Sequence, residues 1–310
     1  MRPALTQPRL GTVGLAITTA CLAGLALAGC AVGASVTAPA EDGKVTVVAS
    51  TNVYGSIAES IGGDLIEVTS LIDSAAQDPH SYEASARDQL SLSRADLVVV
   101  NGGGYDPFVE TLISASDNSG VDVLDASRVS GLSTQDNFNE HVWYSFPAVT
   151  RVAEKIAGRL SEIDPGSAAT FASNLADFTA AVSALEDRAN GLRFVTAGRD
   201  AAITEPVPLY LIEAVGLGNA TPSEFSDAIE EGTDVPPLVL RDTLALFSGN
   251  TVALLAYNGQ TAGAQTEQVL KAAQAEGVPV VEFTETMPDD ADYVSWMTAN
   301  LDHVAAAVRE

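Results

Sequence analysis

The chain has 310 residues, is 46% hydrophobic and carries 41 acidic against 15 basic residues, a formal net charge of −26. That excess excludes nucleic acid and anionic membrane surfaces as partners, because both repel a strongly negative protein. The hydrophobic fraction excludes general disorder, and the length suits one large domain or two of medium size.

Residues 1–29 read as a secretory signal outside the fold. Arg2 and Arg9 form a sparse positive start, an apolar stretch runs from 10 to 28, and Leu27-Ala28-Gly29-Cys30 closes it with small residues before a cysteine. These four residues look like a bacterial lipobox. Cys30 is therefore expected to carry lipid and to become the mature N-terminus, anchored on the outer face of the cytoplasmic membrane. Residues 30–43 are small and polar with no apolar period, so they read as a flexible tether. Cys21 lies inside the signal, which leaves the mature chain one cysteine and no disulfide. Processing removes two of the basic residues and no acid, so the mature protein is more acidic still.

From residue 44 onward, short β-branched runs alternate with helical stretches. Strands are expected at 45–49 (VTVVA), 65–71 (LIEVTSL), 97–100 (LVVV) and 121–124, with helices beginning at 56 and spanning 89–95 and 106–115. Continuous apolar strands separated by helices imply a parallel sheet covered on both faces. The rhythm then changes to two successive helices, 147–163 and 165–192, broken at Asp164-Pro165. In the second, Phe171, Leu175, Phe178, Val182 and Leu185 recur every three or four residues, an apolar stripe on a helix with no strand beside it. Alternation resumes with strands at 201–204, 252–257 and 278–283 and helices at 209–215, 238–247, 265–275 and 293–309. The expected fold class is therefore α/β. An N-terminal lobe (44–164) and a C-terminal lobe (193–310), each a parallel sheet flanked by helices, are joined by one long rigid helix (165–192).

Three histidines are present. His303 lies near the end of the last helix and is given no role. His80, in Asp78-Pro79-His80-Ser81-Tyr82-Glu83, and His141, in Asn139-Glu140-His141-Val142-Trp143, both sit in loops of the first lobe, where ligands bind beyond strand carboxyl ends. Glu205 follows the strand at 201–204, and Glu285 follows the strand at 278–283. In so acidic a chain, two loop glutamates mean little alone. With the histidines they make a set of two imidazoles and two carboxylates, two donors from each lobe. No HExxH, CxxC, GxSxG or phosphate-loop pattern occurs, and Gly102-Gly103-Gly104 lacks dinucleotide-fingerprint spacing and reads as a tight turn.

These segments, with Ala49-Ser50-Thr51-Asn52-Val53-Tyr54, Thr204-Glu205-Pro206, Phe283-Thr284-Glu285-Thr286 and the closing Tyr293…Trp296-Met297…Asn300-Leu301, resemble the substrate-binding lipoproteins of manganese- and zinc-type ABC importers, solute-binding protein family 9. The resemblance implies extracytoplasmic capture of one divalent metal ion, manganese or zinc with ferrous iron as a third candidate, and delivery to a cognate ABC permease by a monomer without enzymatic activity. The family's ligands, two histidines, then a histidine or glutamate, then an acid, fall on His80, His141, Glu205 and Glu285. The chain departs from the family in reading Tyr144-Ser145-Phe146-Pro147 after the second histidine motif, where Asp-Pro is usual. It also has Glu285 where aspartate is commoner, and no histidine-rich loop. A binding protein for an organic metal complex would want basic or aromatic cleft walls, and no arginine cluster supplies them. A secreted metallohydrolase would need an open metal position beside an acid/base group. Two imidazoles with two carboxylates make a hard site suited to manganese or ferrous iron, although zinc outcompetes manganese at most such sites.

Overall fold

In a computed structural model of the protein, the described residues run from 43 to 309, apart from 75, 76, 78, 119, 133–137 and 250 and the side chain of His80. The signal, the tether up to residue 42 and Cys30 lie outside the described residues.

The first half alternates as its sequence indicates. β1 (Val45–Thr51) leads into α1 (Asn52–Gly62) and β2 (Ile66–Ile72). α2 (Ala86–Leu92), β3 (Leu97–Val100), α3 (Pro107–Ala115), β4 (Asp122–Asp125) and α4 (Ala126–Ser130) follow. All pairings are parallel, in the order β2-β1-β3-β4. Val47, Val48 and Ala49 of β1 and Leu97, Val98 and Val99 of β3 are wholly buried. Side chains on both faces of these central strands meet helices, which is why the apolar runs are continuous.

Beyond β3 the chain reverses at Gly102, Gly103 and Gly104, with φ of 71°, 67° and 103°. A Cβ on Gly102 would stand 2.3 Å from the Asp125 carboxylate, so no side chain fits. Asp106 locks the turn by accepting from the N–H groups of Asn101 (2.6 Å) and Gly102 (2.8 Å).

α5 (Phe146–Ile163) and α6 (Ala168–Thr196) come next without an intervening strand. The long helix starts three residues later than its proline suggests. Pro165–Ser167 forms a 3-10 turn, with Asp164 Oδ1 accepting from Gly166 N–H at 3.1 Å. At its other end the helix continues to Thr196, whose hydroxyl donates to the Leu192 carbonyl at 3.1 Å, and Gly198 turns the chain with φ 75°. The apolar stripe is its buried face: Phe171, Phe178, Val182, Leu185 and Leu192.

The second half contains β5 (Asp200–Ile203), α7 (Leu209–Ala214), β6 (Gly218–Asn219), α8 (Ser223–Glu230) and α9 (Pro237–Ala245). β7 (Leu255–Asn258), α10 (Ala264–Ala275), β8 (Val280–Phe283) and α11 (Tyr293–Ala307) complete it. Its strands are parallel in the order β6-β5-β7-β8, repeating the first sheet's arrangement. α4, β6 and α8 were not expected from sequence, being only five, two and eight residues long. The strand expected at 278–283 pairs as β8 only after Pro279, which has no N–H to give a ladder, and the one expected at 252–257 pairs with it as β7 from Leu255 onward.

α6 packs against α1 and α5 from the first half and α7 and α11 from the second. Its Phe178 and Leu185 belong to one apolar cluster with Val47 and Val99 of the first sheet and Ile203, Ala256 and Phe283 of the second. Residues 43–310 accordingly form one compact unit.

Candidate metal centre

In a parallel sheet with the order 2-1-3-4, the chain departs in opposite directions from the two central strands, which opens a crevice at their carboxyl ends. Asn101 follows β3, Glu205 follows β5 by two residues, and Asn258 ends β7. The candidate site residues sit on the loops around these ends.

His141 is wholly buried and stands at the start of a 3-10 turn, Val142–Tyr144. Tyr105 and Trp143 meet its ring edge-on, with centroids 5.9 and 5.1 Å away. Asn139 fixes its tautomer. Asn139 Oδ1 accepts from the His141 backbone N–H at 3.1 Å and lies 2.7 Å from Nδ1, while Asn139 Nδ2 donates to the Pro206 carbonyl at 2.9 Å. The two backbone partners determine which end of the amide is oxygen, so Nδ1 is the donor. In the neutral ring Nε2 then presents its lone pair, the form in which imidazole binds a metal. Facing Nε2 at 3.5 Å is Oε1 of Glu230, the last residue of α8.

Glu205 and Glu285 are each 1% exposed. The Thr261 hydroxyl donates to Glu205 Oε2. Glu285 is held on both oxygens, by Tyr105 Oη to Oε2 at 3.1 Å and by Asn258 Nδ2 to Oε1 at 3.0 Å, and its backbone N–H donates to Gln260 Oε1 at 2.6 Å. Burial first, and then the charge of Glu285, push the Tyr105 phenol well above its ordinary value, so it remains a donor to the carboxylate. Lateral bonds of this kind fix the direction in which a carboxylate points its remaining lone pairs.

Hydrogen bonds tie the loops of the two halves together around these residues. Tyr144 Oη donates to the Thr284 carbonyl (2.7 Å), Tyr210 Oη to the Asn139 carbonyl (2.8 Å) and Tyr293 Oη to the Trp143 carbonyl (2.7 Å). Asn52 and Met287 exchange a reciprocal pair of bonds, both 3.0 Å. The Asn101 side chain donates to the Glu140 carbonyl at 3.0 Å, which links the β3 turn to the His141 loop.

Of the residues singled out from sequence, His141, Glu205 and Glu285 are buried in this region. His80 lies in a 3-10 turn, Pro79–Ser81, beyond β2, with its side chain outside the described residues. His303 is exposed on α11. Among the described residues, which leave out the His80 side chain, no three histidine, cysteine or acidic side chains are gathered as a ready-made metal site. Sequence reasoning missed Glu230, Tyr105 and the role of Asn139. Asn139 had a signal, two residues before His141 in the same motif. Glu230 had none, because α8 was not read as an element.

The profile of the family described as zinc-uptake complex component A, periplasmic, matches residues 47–307. The metal ABC transporter substrate-binding lipoprotein ScbA of Streptococcus cristatus is 32% identical over 157 residues, 47% of this chain and half the length of that relative. The manganese ABC transporter substrate-binding lipoprotein PsaA of Streptococcus pneumoniae is 26% identical over 306 residues, 92% of this chain and 95% of the relative. Among solved structures, the substrate-binding protein FpvC of Pseudomonas aeruginosa in complex with Mn2+ superposes with a TM-score of 0.73 at 25% identity, covering 86% of this chain and 99% of that one.

Proposed function

Because the chain belongs to the periplasmic zinc-uptake complex component A family, we propose that it captures one divalent transition-metal ion outside the cytoplasmic membrane and delivers it to the permease of an ABC importer. It acts as a monomer, tethered to the outer face of the membrane by lipid on Cys30. His80, His141, Glu205 and Glu285 are the ligands in this reading, two from the loops of each half.

The observation that carries it is the preparation of His141. Asn139 holds Nδ1 at 2.7 Å, leaving the Nε2 lone pair as the ring's donor inside a wholly buried setting. The bond satisfies the buried Nδ1–H and at the same time holds the ring in the tautomer and orientation that a metal-ligating histidine uses. The buried carboxylates of Glu205 and Glu285, each oriented by a neighbouring side chain, support the rest of the set. Ligands drawn from both halves suit a carrier that encloses its cargo. A catalytic ion keeps a position open for water or substrate, and its relatives' names as substrate-binding lipoproteins agree with the carrier.

The mixed imidazole and carboxylate set is hard, and the cargo it fits best is manganese, with zinc bound as a competitor. Metal analysis of protein purified from its own host without chelators tests the proposal. One manganese or zinc ion per chain is expected. Protein that holds no stoichiometric ion from the host, and none after dialysis against manganese and zinc, overturns it.

A further inference from the structure

Residues 258–261, where β7 ends and the loop to α10 begins, supply none of the four ligands, yet they hold both carboxylates. Thr261 donates to Glu205 Oε2, and Asn258 Nδ2 donates to Glu285 Oε1 at 3.0 Å. Gln260 reaches further. Its Oε1 accepts from the Glu285 backbone N–H at 2.6 Å, while its Nε2 donates to Thr286 Oγ1 at 2.9 Å and to the Gln77 carbonyl at 3.2 Å. An N–H only donates and a carbonyl only accepts, so these two backbone partners determine which end of the amide is oxygen. The Gln260 backbone N–H donates in turn to Asn258 Oδ1 at 2.9 Å, which leaves Asn258 Nδ2 as the end that meets the carboxylate. Backbone and side chain of Glu285 are thus both set from this stretch. Gln77 belongs to the first half and precedes His80 by three residues. Beside it, Thr286 Oγ1 donates to the Ser74 carbonyl at 3.4 Å. The Gln260 amide therefore stands between a ligand of the second half and the backbone that leads to a ligand of the first.

We propose that Gln260 is a positioning residue for metal capture, its amide holding Glu285 in register with the segment that leads to His80. This rests on the metal-capture reading above. Gln260 does not touch the ion; it acts by fixing groups that do. Ligands ordered beforehand spare the ion the cost of ordering them. They also keep it from leaving one ligand at a time, so the gain appears chiefly as slower release.

The test is Gln260→Met, similar in length but without the amide. Manganese affinity is measured by competition with a chelator and release by stopped-flow mixing with that chelator, alongside melts of the metal-free protein. Affinity is expected to fall about tenfold or more, with most of the loss in faster release. A lower metal-free melt with affinity and release unchanged is what a purely structural role gives, and it overturns the proposal. Glu285→Gln and the double variant complete a cycle. Because Gln260 acts in part through Glu285, its replacement should cost less affinity once Glu285 is gone, and equal losses in both backgrounds overturn the proposal as well. Should Gln260→Met fail to fold, a crystal structure of the manganese-loaded wild type decides. The amide bonded to both the Glu285 N–H and the Gln77 carbonyl is expected, and an amide turned away from either refutes the role. His141→Ala runs in the same titration. If that variant and Glu285→Gln bind like wild type, the capture site itself is misplaced; if they lose binding while Gln260→Met does not, only the role of Gln260 fails.

Discussion

Glu285 offers the sharpest test of the capture site, because its effect on stability separates from its effect on metal. Its carboxylate accepts from Tyr105 Oη at 3.1 Å and from Asn258 Nδ2 at 3.0 Å, in a position 1% exposed. Glu285→Ala strands both donors, which costs the metal-free protein about 1–3 kcal/mol for each buried group left unmade. Glu285→Gln retains an acceptor for one of them, removes the charge and replaces the other oxygen by an NH2 group without opening a cavity, so its metal-free melt should lie closer to wild type. The metal-induced shift is a separate quantity. A ligand at a hundred times its dissociation constant adds about 2.7 kcal/mol, which for a unit of this size is a rise of about 5 °C in Tm. Both Glu285 variants and His141→Ala should lose most of that rise whatever their starting Tm, while His303→Ala on exposed α11 keeps it. Differential scanning calorimetry with and without manganese and with zinc reads all of these. A wild-type-sized shift in both Glu285 variants would remove that residue from the site, and the same result in His141→Ala would refute the reasoning as a whole.

Tyr105→Phe preserves the edge contacts with His141 and Trp143 but deletes the bond to Glu285, so manganese affinity should drop by about 10–100-fold, with the metal-free melt moving by about 1 kcal/mol. Unchanged affinity by isothermal titration would show that Glu285 needs no such support. Cys30→Ala should abolish labelling with a radioactive fatty acid in cells; continued labelling would place the anchor elsewhere. Because α6 packs on both halves, loading with metal should leave the radius of gyration almost unchanged, and small-angle scattering that reports a wide closure would contradict the rigid connector.

Much of the fold was legible because its periods are clean. VTVVA and LVVV are continuous apolar runs, and in β1 and β3 the corresponding side chains are buried on both faces of the sheet. The Phe171-to-Leu185 stripe likewise became the buried face of α6. Failures cluster where tertiary contact outweighs local pattern. β6 is two residues long and exists through its pairing with β5, as Gly218 donates to the Arg199 carbonyl at 3.0 Å. α8 carries three acids among eight residues and buries only Phe225 and Ser226, so nothing in its sequence marks Glu230 among 41 acids. For the site, sequence could pick out loop residues beyond strand ends. It could not show that Asn139 fixes a tautomer or that Tyr105, on the loop after β3, reaches Glu285 180 positions away.

The apolar cluster that threads from Val47 and Val99 through Phe178 and Leu185 to Ile203 and Phe283 bears on how such a molecule can be rebuilt. No plane divides it without laying that cluster open to water. A chimera taking its first sheet from this chain and its second from a relative must match one helix surface, α6, to two foreign neighbours at once. Its halves repeat the same strand order, yet they are poor candidates for exchange. Changes that alter the cargo will be tolerated more readily on the loops beyond the strand ends, where a ligand can be replaced while the helix that joins the halves keeps both its partners.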